Sequence, residues 1–183
     1  MIFHESMFLI VLVVVLSIAT INDIRSMRIP NWLTYPVMAL ASVYHLAING
    51  WSGLLFSMEG IIVGTAVLII PYLMGGMGAG DAKLMGAVGG LLGPEGVFLA
   101  FLFTALIGGG YALIVIALHG FLKETYHRYG IMLKNFFLTG KLLYLPPSEK
   151  EKKPKLRYGI AITAGTLLSV FMRDRASEII MFL

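Results

Sequence analysis

The sequence predicts an all-α, polytopic membrane protein with six transmembrane helices and an amphipathic cytoplasmic segment between the fifth and the sixth. Hydrophobic residues make up 58% of the 183 residues and charged residues only 13%, about half of the charged fraction of a typical soluble domain. The apolar residues occur in long, almost charge-free runs, and the loops between these runs alternate in charge. A soluble fold of this size cannot bury so much apolar surface, so the expected surroundings are a lipid bilayer.

Six apolar runs define the predicted spans. A full crossing takes about 20 residues, so the short fourth and sixth runs are expected to use flanking residues or to cross only in part. The turn-like pairs Asn49-Gly50 and Gly93-Pro94 end the second and the fourth run. The spans are Ser6–Asn22, Trp32–Ile48, Leu54–Leu73, Ala82–Leu92, Val97–His119 and Tyr158–Met172.

Basic residues in loops one, three and five predict the orientation. The first loop contains Arg25 and Arg28, the third contains Lys83, and most of the others fall in the range 120–157. The positive-inside rule then places these loops in the cytoplasm, beside the cell's inner membrane, and both termini outside. The net charge of +4 is therefore interpreted as charge at a membrane face, and no nucleic-acid partner is expected.

The fifth loop is the one long insertion in an otherwise single membrane-embedded domain, 1–183. Phe121–Tyr144 mixes aromatic and aliphatic residues with spaced lysines, which predicts a helix on the membrane surface. Pro146–Pro154 is a charged, proline-bounded segment and is expected to be a mobile linker. The chain has no cysteine, and its four histidines are scattered, so neither a metal nor a cofactor is expected.

Two aspartates are the candidate chemical groups. Asp23 ends the first span and Asp81 begins the fourth, so both are predicted to lie at one depth near the cytoplasmic face. Two close carboxyl groups that share a proton and hold a water can hydrolyse a peptide bond. A helix N-terminus favours an ionised Asp81, Lys83 adds positive potential there, and a helix C-terminus favours a protonated Asp23. Glycines 75, 76, 78 and 80 are expected to allow an irregular backbone beside Asp81 and the close approach of another chain.

Three short stretches carry a family resemblance. Gly78–Asp81 reads G-A-G-D, and the longer "GAGDAKL" is similar to the G-x-G-D-x-K-L form of type IV prepilin peptidases, which are intramembrane aspartic peptidases. "DIRSMRIPN", Asp23–Asn31, resembles the segment around that family's other aspartate. "YGIAITAG", Tyr158–Gly165, resembles the opening of its last helix, with Arg157 where proline is usual. The stretches follow the family's order.

The resemblance implies a function and its site. Six helices would surround the catalytic residues Asp23 and Asp81. Gly78, Gly80 and Lys83 are expected to support them, through close backbone approach and nearby positive charge. The implied reaction removes a short basic leader from pilin-like precursors, after a glycine, at the cytoplasmic membrane face. Larger bacterial members carry an N-terminal domain with paired C-x-x-C zinc motifs and also methylate the new N-terminus. This cysteine-free sequence resembles the compact Tad-type and archaeal form, so the resemblance extends to the peptidase and not to the N-methyltransferase.

Other interpretations use the same residues. Asp23 can pair with Arg25 or Arg28 in a solvated loop, and Lys83 can serve only as a positive-inside charge. Proton-coupled transport would use the aspartates as a relay, although no clear inverted repeat supports it. A non-catalytic scaffold for a secretion machine would not need two acids at one depth. Helix packing alone is the preferred role of Gly86, Gly89 and Gly90.

Overall fold

The computed structural model describes residues 2–73, 76–118, 122–140, 145 and 157–181. These residues form α-helices and no strand, which confirms the predicted all-α class for the described part of the chain. Three helices contain segments that are long and apolar enough to cross a membrane: Phe8–Ser26, Asn31–Leu73 and Ala79–Val115. The helices are α1 Ile2–Ser26, α2 Asn31–Leu73, α3 Ala79–Leu118, α4 Leu122–Thr139 and α5 Tyr158–Met181.

Helix α2 reverses direction at Gly50. This glycine leaves the helical conformation with φ 60° and ψ −144°, a left-handed φ that glycine adopts without steric cost. The hydroxyl oxygens of Ser42 and Ser57 lie 3.1 Å apart, whereas a straight helix would separate these residues by about 22 Å. The turn predicted at Asn49-Gly50 therefore joins two antiparallel arms. The arms of α2 are 31–49 and 51–73.

Helix α3 reverses in the same way at Gly93, where φ is 73°. Met85 and Val97 both lie beside Gly64 of α2. A Cβ atom added to that glycine would lie 2.9 Å from the Met85 carbonyl carbon and 3.0 Å from Val97 Cγ2. A straight helix would hold residues 85 and 97 about 18 Å apart, so the turn predicted at Gly93-Pro94 is also present. The arms of α3 are 79–92 and 94–118.

Glycines let the two hairpins touch through their backbones. A Cβ added to Gly60 would meet the carbonyl group of Gly89, and one added to Gly89 would meet the carbonyl group of Gly60. Ser57, which is fully buried, donates a hydrogen bond of 2.9 Å to the Gly90 carbonyl at the same crossing. The predicted packing role of Gly89 and Gly90 agrees with this contact, since small residues permit close helix approach.

Helix α1 packs against α5. Thr20 and Thr163 share a hydrogen bond of 2.7 Å between their hydroxyl groups, and Leu16 and Ile162 are fully buried in the core. Helix α5 begins at Tyr158, the first residue of the sixth predicted span, and continues nine residues past the end of that apolar run at Met172. The apolar run marks only the first part of this helix, because its later turns contain charged residues that also form helix readily.

The chain forms two compact units. The first comprises Met1–Gly108 and Arg157–Leu183, and the second comprises Gly109–Leu156. In the second unit, helix α4 lies within the segment predicted to be an amphipathic helix. Met132 is buried there, whereas the aromatic side chains of Tyr126 and Phe137 are exposed. The predicted linker 146–154 lies outside the described residues.

Candidate active site

The first turn of α3 fixes the Asp81 side chain. The helix begins at Ala79, so Gly78 takes the N-cap position and Asp81 the third helical position. The Gly78 N–H donates to Asp81 Oδ2 at 2.9 Å, and the Asp81 N–H donates to the Gly78 carbonyl at 3.1 Å. A carboxylate at this position satisfies an N–H group that the helix leaves without a partner. The side chain is buried, with 8% of its surface exposed.

Asp23 lies in the last turn of α1 but binds the first turn of α5. The Gly159 N–H donates to Asp23 Oδ2 at 3.0 Å, and Asp23 is buried. A Cβ on Gly159 would lie 2.8 Å from that oxygen, so only glycine fits without a shift. The expectation that a helix C-terminus sets the surroundings of Asp23 is therefore incomplete, because its carboxyl also caps the N-terminus of α5. The positive charge of Arg157 acts on the same carboxyl group.

The two carboxyl groups are held in the same way. Both are buried, and the charge of Asp23 acts on Asp81. In each carboxyl, Oδ2 accepts a backbone N–H from the start of a helix. Within the part of the chain that the structure describes, Oδ1 of neither aspartate accepts a hydrogen bond. This geometry orients both groups and leaves one oxygen of each available to a water or a substrate.

Gly80 provides the close contact between the two aspartate segments. A Cβ added there would lie 3.0 Å from Ile29 Cβ and 3.3 Å from the Ile29 backbone nitrogen. Ile29 is buried in the connection between α1 and α2. Gly78 is less crowded, since its added Cβ would meet Asp81 Oδ2 at an ordinary 3.4 Å. Gly80 is thus the glycine that the packing requires.

The amino group of Lys83 contacts the first turn of α2. Its amino group donates a hydrogen bond of 2.9 Å to Asn31 Oδ1 and lies 5.1 Å from the centre of the Tyr35 ring. The positive potential expected from Lys83 at Asp81 stays a prediction, and its polar contacts are with Asn31 and Tyr35.

Several residues of the site had no assigned role in the sequence analysis. Gly159, Ile29 and Asn31 lie inside the quoted motifs, so the motifs could have pointed to them. For Tyr35, the sequence indicates only that it lies one turn after Asn31 on the same helix. Among the described residues, no group of three or more histidine, aspartate or glutamate side chains converges as a metal ion would require.

Three helices long and apolar enough to cross a membrane, with two buried carboxyl groups at helix ends, are the features of an integral membrane protein. Comparison with known families places the chain more narrowly. The sequence model of the type IV leader peptidase family matches residues 10–113, more than half of the chain. The chain belongs to this family.

Curated relatives agree with the family match. Prepilin leader peptidase/N-methyltransferase of Bacillus subtilis is 27% identical over 168 residues, which cover 90% of this chain and 55% of the relative. The protein of that name from Vibrio cholerae is 37% identical over 95 residues, 46% of this chain and 36% of the relative. The protein of that name from Aeromonas hydrophila is 29% identical over 125 residues, which cover 57% of this chain and 39% of the relative. The chain thus spans about half, or less, of each relative's length. No solved structure matches the chain.

Proposed function

We propose that the chain is a membrane aspartic endopeptidase that removes the short basic leader from type IV pilin-like precursors. The cut falls after a glycine, at the cytoplasmic face of the cell's inner membrane, and Asp23 and Asp81 activate the attacking water. The observation that carries this proposal is the pair of buried carboxyl groups, each held through one oxygen by a helix-end N–H. Family membership and the names of the relatives support the substrate class.

The arms of α2 and α3 support the proposed topology of six spans. Together with α1 and α5 they give six helical segments, in the order expected from the apolar runs. Asp23 and Asp81 lie at the ends of segments whose loops carry basic residues, so the active site faces the cytoplasm. The turns at Gly50 and Gly93 then lie on the other side, with both termini.

The proposed reaction is an addition followed by an elimination. A water between the carboxyl groups gives one proton to the ionised aspartate as its oxygen attacks the scissile carbonyl carbon. The protonated aspartate donates a hydrogen bond and then a proton to the carbonyl oxygen, which gives a tetrahedral intermediate. As the intermediate collapses, one of its hydroxyl groups returns a proton to the now ionised aspartate, the C–N bond breaks, and the leaving amine takes the proton held by the other aspartate. Two like charges this close do not both ionise cheaply, which keeps one proton shared.

Cleavage of a defined precursor by the purified protein tests the proposal. The precursor carries a basic leader, a glycine junction and an apolar helix, and both proteins are reconstituted in lipid vesicles. We expect a product shortened by the leader, and no product from a precursor with valine in place of the glycine. The product's mass also shows whether its new N-terminus is methylated, an activity that the relatives' names include. An uncut precursor with well-folded, correctly inserted protein would contradict the proposal.

A further inference from the structure

The connection between α1 and α2 is short and begins four residues after Asp23, at Met27. Only residues 27–30 separate the two helices. The Met27 N–H donates to the Asp23 carbonyl at 2.9 Å, and Met27 has a left-handed φ of 51°, which costs a non-glycine residue about 1 kcal/mol or more. A connection this short transmits any displacement of the start of α2 to the end of α1. The placement of Asp23 therefore depends on what holds the first turn of α2.

Lys83 holds that turn. It follows Asp81 by two residues on α3, and its amino group donates to Asn31 Oδ1 at 2.9 Å. The same amino group lies 5.1 Å from the centre of the Tyr35 ring. Asn31 and Tyr35 are one turn apart on α2 and so share a face of that helix. The ammonium group of Lys83 thus joins α3, the helix that carries Asp81, to the first turn of α2. That turn directly follows the connection between α1 and α2.

The contacts of Lys83 favour a mechanical role over an electrostatic one. Its hydrogen bond and its ring contact are made with neutral side chains. Oδ2 of each aspartate accepts a backbone N–H, from Gly78 or from Gly159, whereas the amino group of Lys83 is bonded to Asn31. Lysine provides the length and the donor that the Asn31 contact needs, and its charge strengthens both contacts.

We propose that Lys83 is a positioning residue that sets the approach of Asp23 to Asp81. Through Asn31 and Tyr35 it holds the α1–α2 connection against the start of α3, beside the contact of Gly80 with Ile29. This inference rests on the proposed peptidase function. Because Asn31 and Tyr35 are exposed, the contact is in exchange with water, and its loss is expected to reduce activity moderately rather than abolish it.

A double-mutant cycle in the reconstituted cleavage assay tests the role. Lys83→Met keeps the length of the side chain and removes its donor, and Asn31→Leu removes the acceptor. We expect each variant to lower kcat about fivefold with KM nearly unchanged, and the double variant to be no slower than either single one. Lys83→Arg, which retains a donor and a cation for the ring, should recover most of the rate.

The pH–rate profile separates positioning from electrostatics. If Lys83 is a positioning residue, Lys83→Met lowers the cleavage rate by the same factor at every pH. The pH values at which the rate rises and falls then stay unchanged. A shift of the limbs, with Asn31→Leu close to wild type, would overturn the proposal in favour of a direct charge effect. Arg28→Gln is the matched control, because it removes a cation from the same connection without touching the Asn31 contact. It should keep the wild-type rate, and a loss equal to that of Lys83→Met would also overturn the proposal.

A distance measurement tests the contact without relying on activity. The chain has no cysteine, so Ser26→Cys and Gly76→Cys provide two unique positions for spin labels, beside Asp23 and before α3. We expect a narrow distance distribution with Lys83 and a broader or longer one with Lys83→Met. An unchanged distribution would contradict the positioning role. If the wild type cleaves no precursor but the distribution broadens, the proposed reaction is wrong and the Lys83 contact still stands.

Discussion

Asp23 and Gly159 are 136 residues apart along the chain and are joined by a hydrogen bond of 3.0 Å from the glycine N–H to Oδ2 of the aspartate. This bond fixes the end of α1 on the start of α5. Asp81 is held in an equivalent way by the Gly78 N–H at the start of its own helix. Both carboxyl groups therefore owe their orientation to helix N-termini, whose unpaired N–H groups favour an acceptor oxygen.

Replacing Gly159 with alanine should impair cleavage strongly. The new Cβ would lie 2.8 Å from Asp23 Oδ2 and 3.0 Å from Asp23 Cβ, so the carboxyl group has to move. We expect kcat to fall at least tenfold, measured per amount of folded protein in the reconstituted assay. Gly110→Ala is the matched control, because nothing lies within 4 Å of the Cβ added there. Equal rates for the two variants would show that the Gly159 contact does not orient Asp23.

Gly80→Val should reduce cleavage more than Gly110→Val does. The valine methyl groups would extend beyond a Cβ that already lies 3.0 Å from Ile29 Cβ and 3.3 Å from its backbone nitrogen. The connection between α1 and α2 would then be displaced, and Asp23 with it. Shortening the partner with Ile29→Ala should restore part of the lost rate in the Gly80→Val background. A double variant slower than Gly80→Val alone would argue against this contact as the cause.

Gly89→Ala should destabilise the protein without changing the chemistry of the site. Its Cβ would collide with the Gly60 carbonyl group, and backbone atoms of a packed helix cannot move aside easily. We expect a loss of about 1–3 kcal/mol, the usual cost of overpacking, seen as a lower unfolding temperature in detergent. Ser57→Ala at the same crossing removes the buried hydrogen bond to Gly90 and the hydroxyl contact with Ser42 but adds no atoms, and it should cost only about 1 kcal/mol. A larger effect from Ser57→Ala would contradict this account of the crossing.

The sequence was sufficient for the elements and the turns between them. Long apolar runs can be read directly, and Gly50 and Gly93 adopt the left-handed φ that glycine favours at a tight reversal. Helix α5 continues past the apolar run that ends at Met172, because hydropathy reports where a helix can contact lipid and not where helical hydrogen bonding stops. The number of spans and their orientation remain predictions.

The contacts of the candidate site residues could not be predicted from the sequence. Asp23 and Asp81 were identified from their shared depth and their motifs, and their catalytic roles remain a proposal. The partner of Asp23 came from the other end of the chain, which no local pattern reports. Lys83 was assigned an influence on Asp81 from its place in sequence, whereas its amino group reaches Asn31. A long flexible side chain can point in several directions, and only packing selects one.

The central claim is that the two aspartates together activate water for cleavage of a precursor. Asp23→Asn and Asp81→Asn test it most directly, because asparagine keeps an oxygen that can accept the Gly159 or Gly78 N–H but cannot exchange a proton at neutral pH. The measurement is the rate of leader removal by each purified variant in vesicles, with the unfolding temperature as the check on folding. The account predicts a loss of at least about a thousandfold for each variant, within the range of general acid–base catalysis, at a nearly unchanged unfolding temperature. Cleavage by either variant at close to the wild-type rate would contradict it.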